Sequence, residues 1–321
     1  MKVLFVGTGG IGRRHGRNVR ALRPDSRLIA VRREPSEATR ELDMILAPDL
    51  DAGLAERPRA AVVALPPALH AGVACKILDA GIPLYLEKPV ATHAEDLTPS
   101  AARAADRGVV TMAGCQLRYL PGLRKMHATL AEGRIGRIAH ARLSVGQWLP
   151  AWRPGRDYRT TYSSNRALGG GVLLDLIHEI DLARFFFGEF DKVRARASNS
   201  GLIGVDCEDN ADVLLEGAGP AVNVHLDALD RARHREGRVI GEHGTLIYDV
   251  NAGRLAAYDA AKGSWSEMAT AGDFDLPMAL MTAMRSFLDC VDRGCPTNQP
   301  IDEGLRSLAL VERAQASANL I

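Results

Sequence analysis

Short, continuous apolar runs separated by helical patterns fill the first third of the chain. Val3–Val6 reads as a strand, Gly10–Leu22 as a helix and Leu28–Val31 as a second strand. Ala60–Ala64 predicts a third strand, followed by a helix around Ala68–Ala80. Leu84–Leu86 and Val109–Met112 predict two more, with an alanine-rich helix beginning near Pro99 between them. Strands that are apolar along their whole length are buried on both faces, and their alternation with helices predicts a doubly wound parallel sheet. After Tyr119-Leu120-Pro121 the rhythm changes. A helix, Gly122–Glu132, leads into runs that alternate apolar with polar residues, such as Ile138–Trp148, Ala211–Leu215, Val222–Leu226 and Thr245–Asp249. A period of two predicts a largely antiparallel sheet with one buried face. The expected fold is α/β, with a parallel-sheet domain over residues 1–118. A second α/β domain with an open, mainly antiparallel sheet is expected over 119–321. A last helix, Glu303–Ala318, is expected to pack back on an earlier domain.

Composition narrows the picture. The chain has 321 residues, 46% hydrophobic and 25% charged, longer than one core usually serves, which agrees with two domains. Forty Lys and Arg against 39 Asp and Glu leave no global field to attract nucleic acid or a membrane. Arginines crowd between Arg13 and Arg33, with Arg13, Arg17 and Arg20 on one helix face. No stacking aromatic beyond Phe5 accompanies them, so they read as a solvated face and not as a nucleic-acid surface. Five cysteines without a CxxC pair suit reduced thiols in the cytoplasm and no metal site. The apolar start ends at Gly7, too early for a signal peptide, and no segment approaches the ~20 apolar residues of a membrane span. A soluble cytoplasmic protein is expected.

Gly7-Thr8-Gly9-Gly10-Ile11-Gly12 fits GxGxxG, directly after a strand and at the opening of a helix, which is the Rossmann dinucleotide context. Glycines there permit the tight turn and let backbone N–H groups approach a pyrophosphate at the positive helix end. An acidic residue about 20 positions past the glycines grips the ribose 2′-hydroxyl in NAD enzymes. Here the second strand ends in Arg32 and Arg33, whose guanidinium groups suit a 2′-phosphate, with Ser36 as a further donor. NADP is therefore expected over NAD. The alternative has solvated arginines and Glu34 in the acidic role.

Further motifs carry a family resemblance. Ala64-Leu65-Pro66-Pro67-Ala68-Leu69-His70 follows the third strand, and Leu86-Glu87-Lys88-Pro89 the fourth. Gly169-Gly170-Gly171 leads a helix bearing Asp175, His178 and Asp181, and Gly241-Glu242-His243-Gly244-Thr245-Leu246 lies beyond. Together these resemble the glucose–fructose oxidoreductase/inositol dehydrogenase family over nearly the whole chain. The resemblance implies a Rossmann domain and a C-terminal α/β domain whose open sheet often forms the oligomer interface. It also implies catalysis by Lys88, His178 and Asp175 on a sugar, amino sugar, nucleotide sugar or cyclitol, without a metal. Leu65, Pro66, His70, Glu87, Lys88 and Gln116 join the glycine loop and the arginines as implied cofactor contacts. The family often has a cis bond before Pro89. Two departures stand out: Pro67 occupies a usual Asn position, and Asp175 and His178 are three apart where four is usual.

Hydride transfer at a carbinol carbon needs a base for the hydroxyl proton and a donor to steady the developing alkoxide. Asp175, His178 and Asp181 recur at i+3, so either acid is placed to orient the imidazole. In the early turns of a helix His178 meets the positive dipole end, which favours a neutral ring able to accept a proton. Lys88 suits polarising the substrate oxygen, and Glu87 a ribose contact. Arg118, Trp148 and Tyr158 are candidate substrate contacts, the last two within an aromatic cluster (Gln147 to Tyr162) that equally suits an inter-subunit arm. Two other functions compete: a cofactor-binding sensor without catalysis, and a glycosidase that oxidises its sugar transiently with bound NAD. A homodimer or homotetramer built on the C-terminal sheet is expected, because an open sheet must cover its second face.

Overall fold

Four runs rich in valine, leucine and alanine and two short edge runs pair into a fully parallel, six-stranded sheet in the computed structural model, which describes residues 1–318. Its strands are β1 (Lys2–Val6), β2 (Arg27–Val31), β3 (Ile45–Ala47), β4 (Ala60–Val63), β5 (Leu84–Glu87) and β6 (Thr111–Gly114). Their order is β3-β2-β1-β4-β5-β6, so the chain reverses direction at β1/β4, the switch point of a doubly wound sheet. The interleaved helices are α1 (Gly10–Leu22), α2 (Glu37–Glu41), α3 (Leu50–Ala55), α4 (His70–Asp79) and α5 (Thr98–Asp106). Val3, Leu4, Phe5, Val62, Val63 and Leu84 are wholly buried, as strands covered on both faces require.

The chain divides into two compact units, one of residues 1–115 with 280–308, the other of 116–279 with residues from 309 onward. Residues 319–321, part of the expected second domain, lie outside those described. The 280–308 segment completes the first unit. Thr297 Oγ1 donates to the Thr111 carbonyl at 2.6 Å and the Ala113 amide to the Gln299 carbonyl at 2.9 Å, covering the β6 edge. Arg23 reaches Asp289 and Asp292 at 2.8 Å each.

The second unit begins with α6 (Pro121–Ala131) and β7 (Ile138–Gly146). Next come α7 (Val172–Asp175), α8 (His178–Phe187), β8 (Lys192–Ser198), β9 (Asn210–Glu216) and β10 (Ala221–Asp227). Strands β11 (His234–Gly241), β12 (Gly244–Asp249), β13 (Arg254–Asp259) and β14 (Ser264–Ala269) follow, and the last helices, α9 (Leu276–Arg293) and α10 (Ile301–Ser317), each contribute residues to both units. The eight strands order as β14-β13-β12-β11-β7-β10-β9-β8, antiparallel except for the β7/β10 pair. Leu143, Val213, Val224, Val239 and Leu246 are buried on one face, and Arg142, Asp212, Asn223 and Arg238 alternate onto the other. No helix among the described residues is long and apolar enough to cross a membrane.

Candidate functional site

The four glycines of the first turn divide by function. Gly7 takes φ 100°, and a Cβ there would stand 2.3 Å from the Ala64 carbonyl oxygen. At Gly12 a Cβ would meet the Gly7 carbonyl at 2.1 Å. These two let the backbone close on itself. Gly9 and Gly10 are exposed, with nothing within 4 Å of a Cβ position, and the α1 N-cap has no side-chain hydrogen bond. The first turn of α1 thus has neither a side-chain cap nor an acidic residue, which suits an anion. Thr8 and Ile11 complete the loop, half-buried.

Arg32 donates to Thr8 Oγ1 at 3.1 Å and, through Nε, to the Glu34 carbonyl, bracing the glycine turn against the end of β2. Arg33 and Glu34 are both exposed. Ser36 caps α2, its amide donating to Thr39 Oγ1 at 2.7 Å. Arg13, Arg17 and Arg20 of α1 stand on an exposed face, as expected, but have partners there. Arg13 pairs with Glu37 at 2.7 Å and with Glu41, and Arg20 donates to the Leu42 carbonyl at 2.8 Å. Helix α2, absent from the sequence reading, neutralises that face.

Beyond β4, Leu65 and Pro66 form a half-buried turn. His70 sits wholly buried with Nε2 2.8 Å from the Leu65 carbonyl and Nδ1 2.7 Å from the Pro89 carbonyl. The ring thus ties the turn after β4 to the one after β5. Burial pushes its pKa down, against the pull of those two carbonyls. The Lys88–Pro89 bond is cis, and Lys88 is half-buried. Glu87 is 6% exposed and lies 2.6 Å from His15 Nε2, a partner the sequence reading left out.

In the second unit Gln116 and Arg118 lie on a short 3₁₀ turn, Gln116–Tyr119. Arg118 grips Asp181 with two bonds, Nε to Oδ2 at 2.8 Å and Nη2 to Oδ1 at 2.6 Å, and its guanidinium lies 5.3 Å from the Phe185 ring centre. Asp181 therefore serves Arg118. The single helical stripe expected through Asp175, His178 and Asp181 is interrupted, since Asp175 closes α7 and His178 opens α8. Both are buried, at 5% and 4% exposure. Tyr162 donates its hydroxyl to Asp175 Oδ1 at 2.8 Å, and the Arg153 guanidinium lies 5.1 Å from the centre of its ring.

The glycine run has a local cause that the sequence did not reveal. Gly171 takes φ 105°, and a Cβ there would stand 2.3 Å from Glu208 Oε1. That oxygen also accepts from the Leu173 amide at 3.4 Å, and burial pushes the Glu208 pKa up. Trp148 is faced by the Arg231 guanidinium, 3.9 Å from its ring centre, and Tyr158 donates its hydroxyl to the Ile203 carbonyl at 2.8 Å. The polar groups of the aromatic cluster thus hold its own loop. The signals that pointed to the missed residues were faint: His15 shares a helix face with Gly12, and Glu208 is one of an acidic pair preceding an alternating run.

Two family models match. Residues 1–115 fit the oxidoreductase family with an NAD-binding Rossmann fold, and 123–247 fit the GFO/IDH/MocA C-terminal domain. The chain is 25% identical over 335 aligned residues to inositol 2-dehydrogenase of Rhizobium meliloti, covering 98% of this chain and 95% of the relative. It is 28% identical over 187 residues to 2,7-anhydro-N-acetylneuraminate hydratase of Mediterraneibacter gnavus, covering 57% of this chain and 48% of the relative, so the match spans about half of that protein. Among solved structures, levoglucosan dehydrogenase in complex with NADH and levoglucosan superposes with a TM-score of 0.86 at 19% identity, over 99% of this chain and 96% of that one. The likeness to that structure is one of fold.

Proposed function

Because the chain belongs to the GFO/IDH/MocA family of NAD-binding oxidoreductases, we propose that it moves hydride between a nicotinamide dinucleotide and a carbinol carbon of a sugar, amino sugar, nucleotide sugar or cyclitol. The observation that carries the reading is the open Gly9–Gly10 turn at the start of α1, where missing side chains leave room for a ligand and a helix start without a side-chain cap suits a pyrophosphate. The dinucleotide, when bound, supplies the hydride acceptor or donor. Gly7 to Gly12 hold its phosphates, and Leu65, Pro66, His70, Glu87 and Gln116 shape the remainder of its seat. Exposed Arg33 favours a 2′-phosphate, hence NADP over NAD.

In this reading Lys88 steadies the substrate oxygen, and His178 takes or returns its proton. Asp175, held by Tyr162, supports the imidazole. Arg118 is a weaker substrate contact than the sequence suggests, because Asp181 already engages one edge of its guanidinium with two bonds. Trp148 and Tyr158 keep a lesser role, shaping the loop that meets the sugar. Five cysteines with no disulfide among the described residues suit a cytoplasmic location.

Lys88→Ala and His178→Ala are each expected to lower the chemical rate on the order of 10²-fold or more, with dinucleotide affinity little changed. The double variant should lose less than the product of the single losses. Single-turnover kinetics beside cofactor titrations measure both quantities, and near-full turnover in either single variant defeats the assignment. One observation favours a second reading, in which hydride is taken from the sugar and returned to it: a relative is named a hydratase, a net reaction without redox change. Product formation without accumulation of reduced nicotinamide, in protein purified with its dinucleotide bound, distinguishes that case.

A further inference from the structure

A histidine with no exposed surface sits in the middle of the arginine-rich helix α1. Burying an imidazole among strands costs free energy unless its polar atoms are matched. His15 Nε2 lies 2.6 Å from Glu87 Oε1, while Nδ1 has no partner among the described residues. A proton on Nδ1 would be a buried donor with nothing to meet, so the ring carries its proton on Nε2 and donates to the carboxylate.

The packing around the pair leaves it little freedom. The His15 ring lies 4.8 Å from the Tyr85 ring, which meets Phe287 edge-on at 5.8 Å. On the other side of Glu87 stands Gly114, where a Cβ would come within 3.0 Å of the Glu87 Cα and 3.1 Å of its carboxyl carbon. Glu87 is thus confined between an imidazole donor and bare backbone. The next residue is Lys88, and the Pro89 carbonyl after it is held by His70 at 2.7 Å. Strand β5 is two places from β1 in the sheet, so His15 carries the glycine-loop helix across to a strand that is not beside it.

We propose that His15 is a positioning residue: through its bond to Glu87 it fixes the end of β5 so that Lys88 is presented correctly, coupling the phosphate-binding helix to the proton-handling turn. The proposal rests on the dehydrogenase reading above, and the test separates the two. Three variants are compared with the unsubstituted protein. His15→Phe keeps the ring and removes the donor, His15→Gln retains an N–H, and His15→Phe/Glu87→Gln removes both members of the pair. Hydride transfer at saturating cofactor should fall about tenfold or more in His15→Phe, with KM for the sugar or cyclitol and NADPH affinity within about twofold. His15→Gln should recover most of that loss, and the double variant, once cofactor is raised to saturate it despite the altered Glu87 contact, should be no slower than His15→Phe. Hydrogen exchange of the segment 84–90, which needs no turnover, should speed up in His15→Phe and return toward normal in His15→Gln. Full turnover in His15→Phe, equal losses in His15→Phe and His15→Gln, or unchanged exchange at 84–90 overturns the positioning role. An unsubstituted protein that binds no dinucleotide overturns the dehydrogenase reading instead, while the exchange comparison still decides whether His15 holds the end of β5.

Discussion

Arg32 and Arg33 are neighbours in sequence with different employment. Arg32 braces the glycine turn through Thr8, and Arg33 stands exposed, where the proposed reading puts a 2′-phosphate. Arg33→Asp should therefore weaken NADP more than NAD, by ~1.4 kcal/mol or more, about tenfold in Kd, for loss of a bidentate phosphate contact. Isothermal titration with both dinucleotides checks it, and equal affinities before and after the change remove Arg33 from the site. At this scale the glycine loop and the Glu87-Lys88-Pro89 motif were legible because each sits in a short sequence window with a mechanical reason for its residue types. His15 and Glu208 were not. Their meaning lies in partners 72 and 35 residues away, and no local spacing announces such a pair.

Gly171 shows how one element is built around another. Its φ of 105° strains any side chain, and the space a Cβ needs is filled by the Glu208 carboxylate. Gly171→Ala should cost about 1–3 kcal/mol or displace Glu208, read as a lowered urea midpoint at unchanged slope. A second consequence lies on the β9/β10 pair, where His225 bonds Asp227 at 3.3 Å and Asp212 at 2.7 Å. Asp227, then Asp212, push its pKa up to about 9 against the opposing effect of burial. A folded-state pKa raised above the unfolded value contributes stability that is fully present below about pH 6.5 and fades as pH rises through about 9. Denaturation curves at intervals across that window should show the decline, and Asp212→Asn should flatten it. The buried strands were legible because unbroken apolar runs and strict alternation leave few other readings. Strands β8, β11 and β14 were not read, because Lys192–Ser198, His234–Gly241 and Ser264–Ala269 carry mostly exposed or half-exposed residues and little apolar signal. The long apparent helix after the glycines was misread as continuous, since nothing in Leu176-Ile177 breaks the helical pattern.

For the molecule as a whole, the eight-stranded sheet buries one face under its own helices and leaves the other lined by Arg142, Asp212, Asn223, Arg238 and the half-exposed Ile247. A second copy of the chain is the expected cover, giving a homodimer or homotetramer, and light scattering at micromolar concentration tests this; a monomer there contradicts it. The division into two units has a consequence of another kind, for the order in which the chain is made. Residues 1–115 leave the ribosome first, yet the β6 edge and Arg23 meet Thr297, Gln299, Asp289 and Asp292 of 280–308 only after the entire second sheet has been synthesised, and Tyr85 gains its Phe287 contact only then. Until then the nascent first unit carries an open parallel edge, a feature that invites pairing with a neighbouring chain. The stretch of chain between them sets a waiting time, and a nascent-chain chaperone would find its binding surface here during that interval.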